Sequence, residues 1–195
     1  AKSDKSKQDI IRNLYDTFFN NAFPRMAERL GIVYTPVQVV DFILHSANAA
    51  LRKHFGQSLG SEGVHILDPF SGTGTFPVRL IQSGLINRRD LPRKFASELH
   101  ANEIVLLAYY IATINIEAAY LEAAAEAGLD VAYEPFDGIV LTDTFQMHET
   151  GDVIDHQVFA TNTERGLRQL GLDIRVILGN PPYSVGQTSM NDVNA

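Results

Sequence analysis

The seven residues Asp68-Pro-Phe-Ser-Gly-Thr-Gly74 leave this chain little choice of local fold. They follow the apolar run Val64-His-Ile-Leu67 and precede a helix through Val78, Leu80 and Ile81. A strand must therefore pass into a helix through a turn of small residues, and such a turn lets a ligand approach the backbone closely. The turn is not a phosphate-binding loop of the ATPase kind, because no Lys-Ser or Lys-Thr pair follows it. It also departs from the dinucleotide-binding pattern, since Pro77 takes the place of the third glycine. An acidic residue ending a buried strand before Gly-x-Gly suits a ligand that carries an amino group and a ribose.

The rest of the chain supplies more units of the same kind. Residues 95–103, 138–142 and 174–178 read as strands. A long alanine-rich helix is expected to about Ala127, and a short one near residues 164–170. Residues 87–94 read as a charged loop and 146–163 as a polar connection. Ahead of them, Ile10, Ile11, Leu14 and Phe18, then Met26, Ala27 and Leu30, predict two short helices separated at Pro24. Thr35 is the expected cap of a further helix with Pro36 at its first position. Val37, Val40, Ile43, Leu44 and Ala47 form the apolar face of that helix. Strands alternating with helices predict an α/β fold with a doubly wound, mostly parallel sheet. An N-terminal helical segment (1–55) would precede a catalytic domain (56–195). Four strands are fewer than such sheets normally hold, so the domain is expected to be truncated at its C-terminus.

Composition removes several chemistries. With no cysteine, disulfides, thiolate metal sites and cysteine nucleophiles are all excluded, and with them the covalent route to carbon-5 methylation of cytosine. The formal charge of −7 lacks the basic patch of a stand-alone nucleic-acid binder, so any grip on DNA is expected to come mostly from other parts. No apolar run reaches the roughly 18 residues of a membrane span. The polar, lysine-rich first nine residues do not read as a secretion signal, and a cytoplasmic setting is expected. The six histidines show no metal-ligand spacing, so no metal is expected.

Three more acidic or amide positions bear on chemistry. A carboxylate at the end of the second strand takes ribose hydroxyls in nucleoside-binding sheets. Glu98 and Glu103 both qualify, and Glu103 is favoured because it stands immediately before the apolar helix. Asp143 follows the third strand as Asp68 follows the first, and can accept a hydrogen bond from an exocyclic amine such as that of adenine, with Phe145 facing the ring. Asn180-Pro-Pro-Tyr183 closes the fourth strand. The amine of an aromatic base is a poor nucleophile because its lone pair is delocalised. The Asn180 side-chain oxygen and the Pro181 carbonyl offer two acceptors for the amine hydrogens, drawing the nitrogen toward a tetrahedral, reactive geometry. Pro182 stiffens the loop and Tyr183 offers a stacking face worth roughly 1–3 kcal/mol.

Taken together, Tyr34-Thr-Pro-x-x-Val-Val-Asp-Phe-Ile, Asp-Pro-Phe-x-Gly-x-Gly and Asn-Pro-Pro-Tyr resemble the gamma-order, amino-methylating DNA methyltransferases. Glu103-Ile-Val-Leu-Leu-Ala-Tyr-Tyr-Ile-Ala and Asn180-Pro-Pro-Tyr-Ser-Val-Gly-Gln are most similar to the methylase region of large, helicase-fused restriction-modification enzymes. The resemblance implies the Rossmann-like fold of S-adenosylmethionine-dependent methyltransferases and methyl transfer to adenine N6 in double-stranded DNA, the target base being flipped out. It implies nuclease, motor and target-recognition domains in a parent polypeptide. It puts Tyr34, Thr35 and Pro36 against the methionine end of S-adenosylmethionine. Asp68, Pro69, Phe70, Gly72 and Gly74 would line its amino-acid portion, Glu103 would take the ribose, and Asp143 with Phe145 the adenine. Asn180, Pro181, Pro182 and Tyr183 would hold the target base. A protein glutamine methyltransferase shares the last motif, but Tyr-Thr-Pro and Asp-Pro-Phe favour DNA. A non-catalytic module and a dinucleotide-dependent oxidoreductase are the other readings.

Overall fold

The computed structural model describes residues 35–145, 147 and 160–182. The helices expected within 10–30, and Tyr34 and Tyr183, lie outside these residues. Contacts group 35–180 into one compact unit, with 1–34 and 181–195 in another. The sheet belongs wholly to the first.

Its elements are α1 (Val37–Phe55), β1 (His65–Asp68), α2 (Thr75–Gln82), β2 (Leu99–Glu103), α3 (Leu106–Glu126), β3 (Ile139–Leu141), α4 (Ala160–Leu170) and β4 (Ile174–Ile177). Helix α1 starts one residue later than expected. Pro36 is extended, with ψ 139°, and it is its carbonyl that receives the N–H groups of Val39 and Val40. Pro36 is thus the N-cap, without a side-chain cap hydrogen bond, and Thr35 lies outside the helix. None of the helices among the described residues is long and apolar enough to cross a membrane.

The strands among the described residues are all parallel, in the order β3-β2-β1-β4. The chain steps outward from β1 to β3, then returns to the far side of β1, which is the reversal that defines a doubly wound sheet. Right-handed crossovers put helices on opposite faces when the direction of travel reverses, so α2 and α3 share one face and α4 takes the other. On the first face Ile66, Leu99, Ala101, Ile139 and Val176 join Phe76, Ala112, Ile116 and Ala124 in the core. Gly74 lets α2 approach α3 closely: a Cβ there would lie 3.3 Å from the backbone of Ala112. Helix α4 is fixed to the edge strand by its polar side chains. The Asn162 amide accepts the Leu141 N–H at 2.8 Å and donates to the Leu141 carbonyl at 2.9 Å. Arg165 and Arg168 both pair with Asp137.

The segment expected to start β2 is helical instead. Arg88–Asp90 is a 3-10 turn, Leu91–Arg93 an α turn and Lys94–Glu98 a π turn, so β2 begins at Leu99. Two contacts require this. The Lys94 ammonium pairs with Glu98, four residues on, at 2.8 Å, which an extended chain does not permit. The Phe95 ring stacks on Tyr120 of α3 at 3.9 Å and 9°. Phe95 is a core residue, as its hydrophobicity signals, but it reaches the core from a helical turn.

Candidate active site at the carboxyl edge of the sheet

Ligands of doubly wound sheets bind outside the carboxyl ends of the strands, where the strand order reverses. Here that point lies between β1 and β4. Asp68 ends β1, Glu103 ends β2, residues 142–145 follow β3, and Gly179 and Asn180 follow β4. The topology thus gathers at one edge Asp68, Glu103, Asp143 and Asn180, which are more than 100 residues apart at their extremes in sequence.

Asp68 is buried, 3% exposed. Its Oδ1 accepts the Phe70 N–H at 3.2 Å, while Oδ2 is buried and without a hydrogen-bond partner. Burial first, and repulsion from Glu103 after it, push its carboxyl up to about 8 against the pull of the Phe70 N–H. Glu103 sits differently. Its two oxygens accept the N–H groups of Gly72 at 2.7 Å and Val105 at 2.8 Å. Burial raises this carboxyl above its ordinary range too, and the N–H groups of Val105, Gly72 and Ile104 oppose that rise without cancelling it. Gly72, at φ 54°, takes the left-handed conformation that turns its N–H toward this carboxylate. Glu98, the competing acidic residue, stands before β2 at the opposite end of the sheet, paired with Lys94 and Arg93 and accepting the Gly63 N–H.

Asp143 is half-buried, and its Oδ1 accepts the N–H of exposed Phe145 at 3.0 Å. The Phe145 ring meets Phe70 of the glycine turn at 5.4 Å between centroids. Thr144 makes that meeting possible by donating to the Pro69 carbonyl at 2.7 Å, and Asn102 in turn donates to Thr144 at 3.3 Å. Ser71 adds its N–H to the Asn102 carbonyl at 2.9 Å. Thr144 and Asn102 were not legible as site residues, because nothing in their sequence neighbourhood distinguishes them from other loop and strand polars. Beside Oδ2 of Asp68, Ser71 Oγ and Asn102 Oδ1 are also buried without partners. Three orphaned polar atoms at one strand edge suit a polar, hydrogen-bonding ligand.

Gly179 is a third residue that sequence reading missed. A Cβ at this position would fall 2.8 Å from Asp68 Oδ1 and 3.2 Å from Pro69 Cδ, so backbone alone fits there. Asn180, half-buried, follows directly. Thr35 and Pro36 stand at the head of α1, which packs on α2. Pro181 and Pro182 are exposed and outside regular structure, in the other unit. Tyr34 and Tyr183 lie outside the described residues.

No protein-family model and no curated protein matches the chain. Among solved structures it is similar to DrdV in a DrdV–DNA complex, with 43% identity and a TM-score of 0.83 over 96% of this chain and 18% of that one. It is similar to a nuclease-deletion mutant of the Type ISP restriction-modification enzyme LlaGI in complex with a DNA substrate mimic, with 53% identity and a TM-score of 0.80 over 96% of this chain and 15% of that one. A third likeness is to the ATP-dependent Type ISP restriction-modification enzyme LlaBIII bound to DNA, with 55% identity and a TM-score of 0.81 over 95% of this chain and 12% of that one. The chain therefore spans less than a fifth of each of these proteins.

Proposed function

We propose that this chain, a counterpart of one segment of the Type ISP restriction-modification enzymes, is the S-adenosylmethionine-binding and catalytic part of a DNA adenine-N6 methyltransferase. The observation that carries the reading is Asp68: a buried carboxyl with an unpartnered oxygen, at the reversal of strand order, against the backbone that leads into Asn180-Pro-Pro. In the parent protein the chain would perform the modification step, beside nuclease, motor and target-recognition domains, on double-stranded DNA.

The residues present fit the cofactor. Asp68 Oδ2 meets an amino group with an acceptor that has no competing donor. Pro69, Phe70, Gly72 and Gly74 would line the amino-acid portion. Glu103 retains acceptor capacity beyond its backbone donors and would hold the ribose hydroxyls. Asp143 would take the adenine amine, with the Phe145 ring beside it, and Tyr34, Thr35 and Pro36 would flank the methionine end. Bound there, the cofactor supplies an electrophilic methyl group. Asn180 and the Pro181 carbonyl accept the two hydrogens of the target amine and hold its lone pair toward the methyl donor. Pro182 fixes the loop, and Tyr183 stacks on the flipped base. No general base would be needed to begin, because the nitrogen would bond the methyl carbon with its own lone pair and its surplus proton would then pass to solvent.

Calorimetric titration of the chain with S-adenosylmethionine tests the cofactor site. Saturable binding is expected, weakened by Asp68→Ala and absent with NAD; no binding by the folded chain would overturn it. In the complete enzyme, Asn180→Ala should abolish adenine methylation while cofactor binding persists. Full methylation by that variant would remove Asn180 from the catalytic role.

A further inference from the structure

The backbone treats the two carboxyl groups at the ends of β1 and β2 unequally. Glu103 is supplied with donors on both oxygens, at 2.7 and 2.8 Å, and so can hold a charge. Asp68 receives one longer N–H bond, at 3.2 Å on Oδ1, and nothing on Oδ2. Gly179 and Pro69 close it in: the 2.8 Å separation of a Gly179 Cβ from Oδ1 leaves no room for a counter-ion on that side. Among the described residues no cation reaches it from the neighbouring elements. The turn 69–74 has no charged residue. Arg79 of α2 is paired with Asp41 of α1, and Arg175 of β4 with Asp173. Beyond β3 stands another carboxylate, Asp143. The charged group that acts on Asp68 from β2 is Glu103, which repels its anion.

We propose that the free protein keeps Asp68 as a neutral acid and that the ammonium group of the cofactor displaces its proton, making cofactor capture an exchange of one cation for another. The inference rests on the cofactor reading above. In the exchange the Asp68 O–H bond breaks, the carboxylate keeps the electron pair, and the proton passes to solvent. The ligand ammonium, still protonated, becomes the counter-ion, and nothing is oxidised or reduced. The carboxyl pushed up to about 8 agrees with this state, since at pH 7 the acid form then outnumbers the anion about tenfold. A ligand lacking the ammonium has no means of displacing the proton. The pocket thereby distinguishes the amino-acid portion of S-adenosylmethionine from a bare nucleoside by charge as well as by contact.

The test is calorimetric titration of the chain with S-adenosylmethionine at pH 6 to 7, in buffers of different ionisation enthalpy, which counts the protons released. Close to one proton per cofactor is expected, with Kd falling about tenfold per pH unit. 5′-Methylthioadenosine, which lacks the ammonium, should release none, and neither should Asp68→Asn with S-adenosylmethionine. Infrared spectroscopy of the wild-type chain gives a second reading that needs no variant. The free protein should show the C=O stretch of a buried neutral carboxyl, and S-adenosylmethionine should remove it. Binding with no proton released and a pH-independent Kd would overturn the exchange and leave the cofactor reading standing. Equal proton release from Asp68→Asn would overturn the assignment to Asp68. Failure of the folded chain to bind S-adenosylmethionine at any pH would overturn the cofactor reading and the exchange with it.

Discussion

Replacing Glu98 with glutamine should damage the fold and spare the site. Lys94 is 1% exposed, and its ammonium has three partners: the carbonyls of Ser61 at 2.8 Å and Val64 at 2.7 Å, and the Glu98 carboxylate at 2.8 Å. The glutamine keeps the shape of Glu98 and can still accept the Gly63 N–H, but it leaves the ammonium in the interior without a counter-charge. Breaking a buried ion pair from one side costs about 3–5 kcal/mol. At about 2–4 °C per kcal/mol for a chain of this size, Tm should fall by about 6–20 °C. The pH dependence follows from the same contacts. Burial raises the Glu98 carboxyl, but Lys94, the Gly63 N–H and Arg93 outweigh it and hold the group below its ordinary value of 4.5. Its stabilisation is therefore complete above pH 4.5 and is lost as pH falls through the lower, folded-state value. Glu98→Gln should lack that acid limb. Thermal unfolding followed by circular dichroism at pH 7, and in a series down to pH 3.5, measures both effects. Because the cluster and the candidate site lie at opposite ends of the sheet, cofactor affinity at low temperature should stay within about twofold. A Tm loss below about 2 °C accompanied by a large loss of cofactor affinity would make Glu98 a ligand-binding residue and refute this reasoning.

Gly179→Ala places a methyl group 2.8 Å from Asp68 Oδ1. About 1–3 kcal/mol of overpacking strain should appear as cofactor binding weakened by about fivefold to a hundredfold in calorimetry, and unaltered affinity would show that the loop after β4 yields freely. His100 lies 3.0 Å from His65, and burial first, then the charges of His65 and Arg168, push it down to about 4. Its unfolded form titrates at 6.5, so unfolding takes up a proton across the interval between, and stability should fall by about 3 kcal/mol as pH drops from 6.5 to 4. Denaturant titrations of wild type against His100→Gln should read this as a difference, so that the slope of Asp68, which runs the other way over the same interval, cancels. Parallel curves for the two proteins would contradict it.

The parts of this fold that sequence revealed are those whose signals are local. Val64-His-Ile-Leu67 followed by a glycine turn has one economical structure, and the turn with its strand and helix is found where the pattern put it. Gly138-Ile-Val-Leu-Thr142 and Ile174-Arg-Val-Ile-Leu178 likewise contain β3 and β4. Residues 88–98 went wrong because their determinants are distant. Lys94 needs the carbonyls of Ser61 and Val64, and Phe95 needs Tyr120, and neither partner leaves a mark within the segment itself. An isolated apolar residue beside a charged stretch carries no period by which helix and strand could be told apart. Glu98 and Glu103 were indistinguishable as residue types and became distinct only when the turn moved one of them to the far end of the sheet. Gly179 was hidden for a related reason. A glycine with ordinary backbone angles announces nothing, and its necessity comes from a carboxylate more than a hundred residues earlier.

The amide of Asn162 acts on Leu141 as a neighbouring strand would, satisfying one backbone donor and one acceptor at the outer margin of β3. At that residue the sheet meets a dead end: a further strand would find its hydrogen-bonding groups already taken by α4. The opposite margin among the described residues is β4, where Ile177 remains 65% exposed. Among the described residues the two margins thus differ, a helix side chain satisfying the backbone of Leu141 on one while β4 has no strand beyond it on the other, and unpaired strand margins are where chains recruit one another.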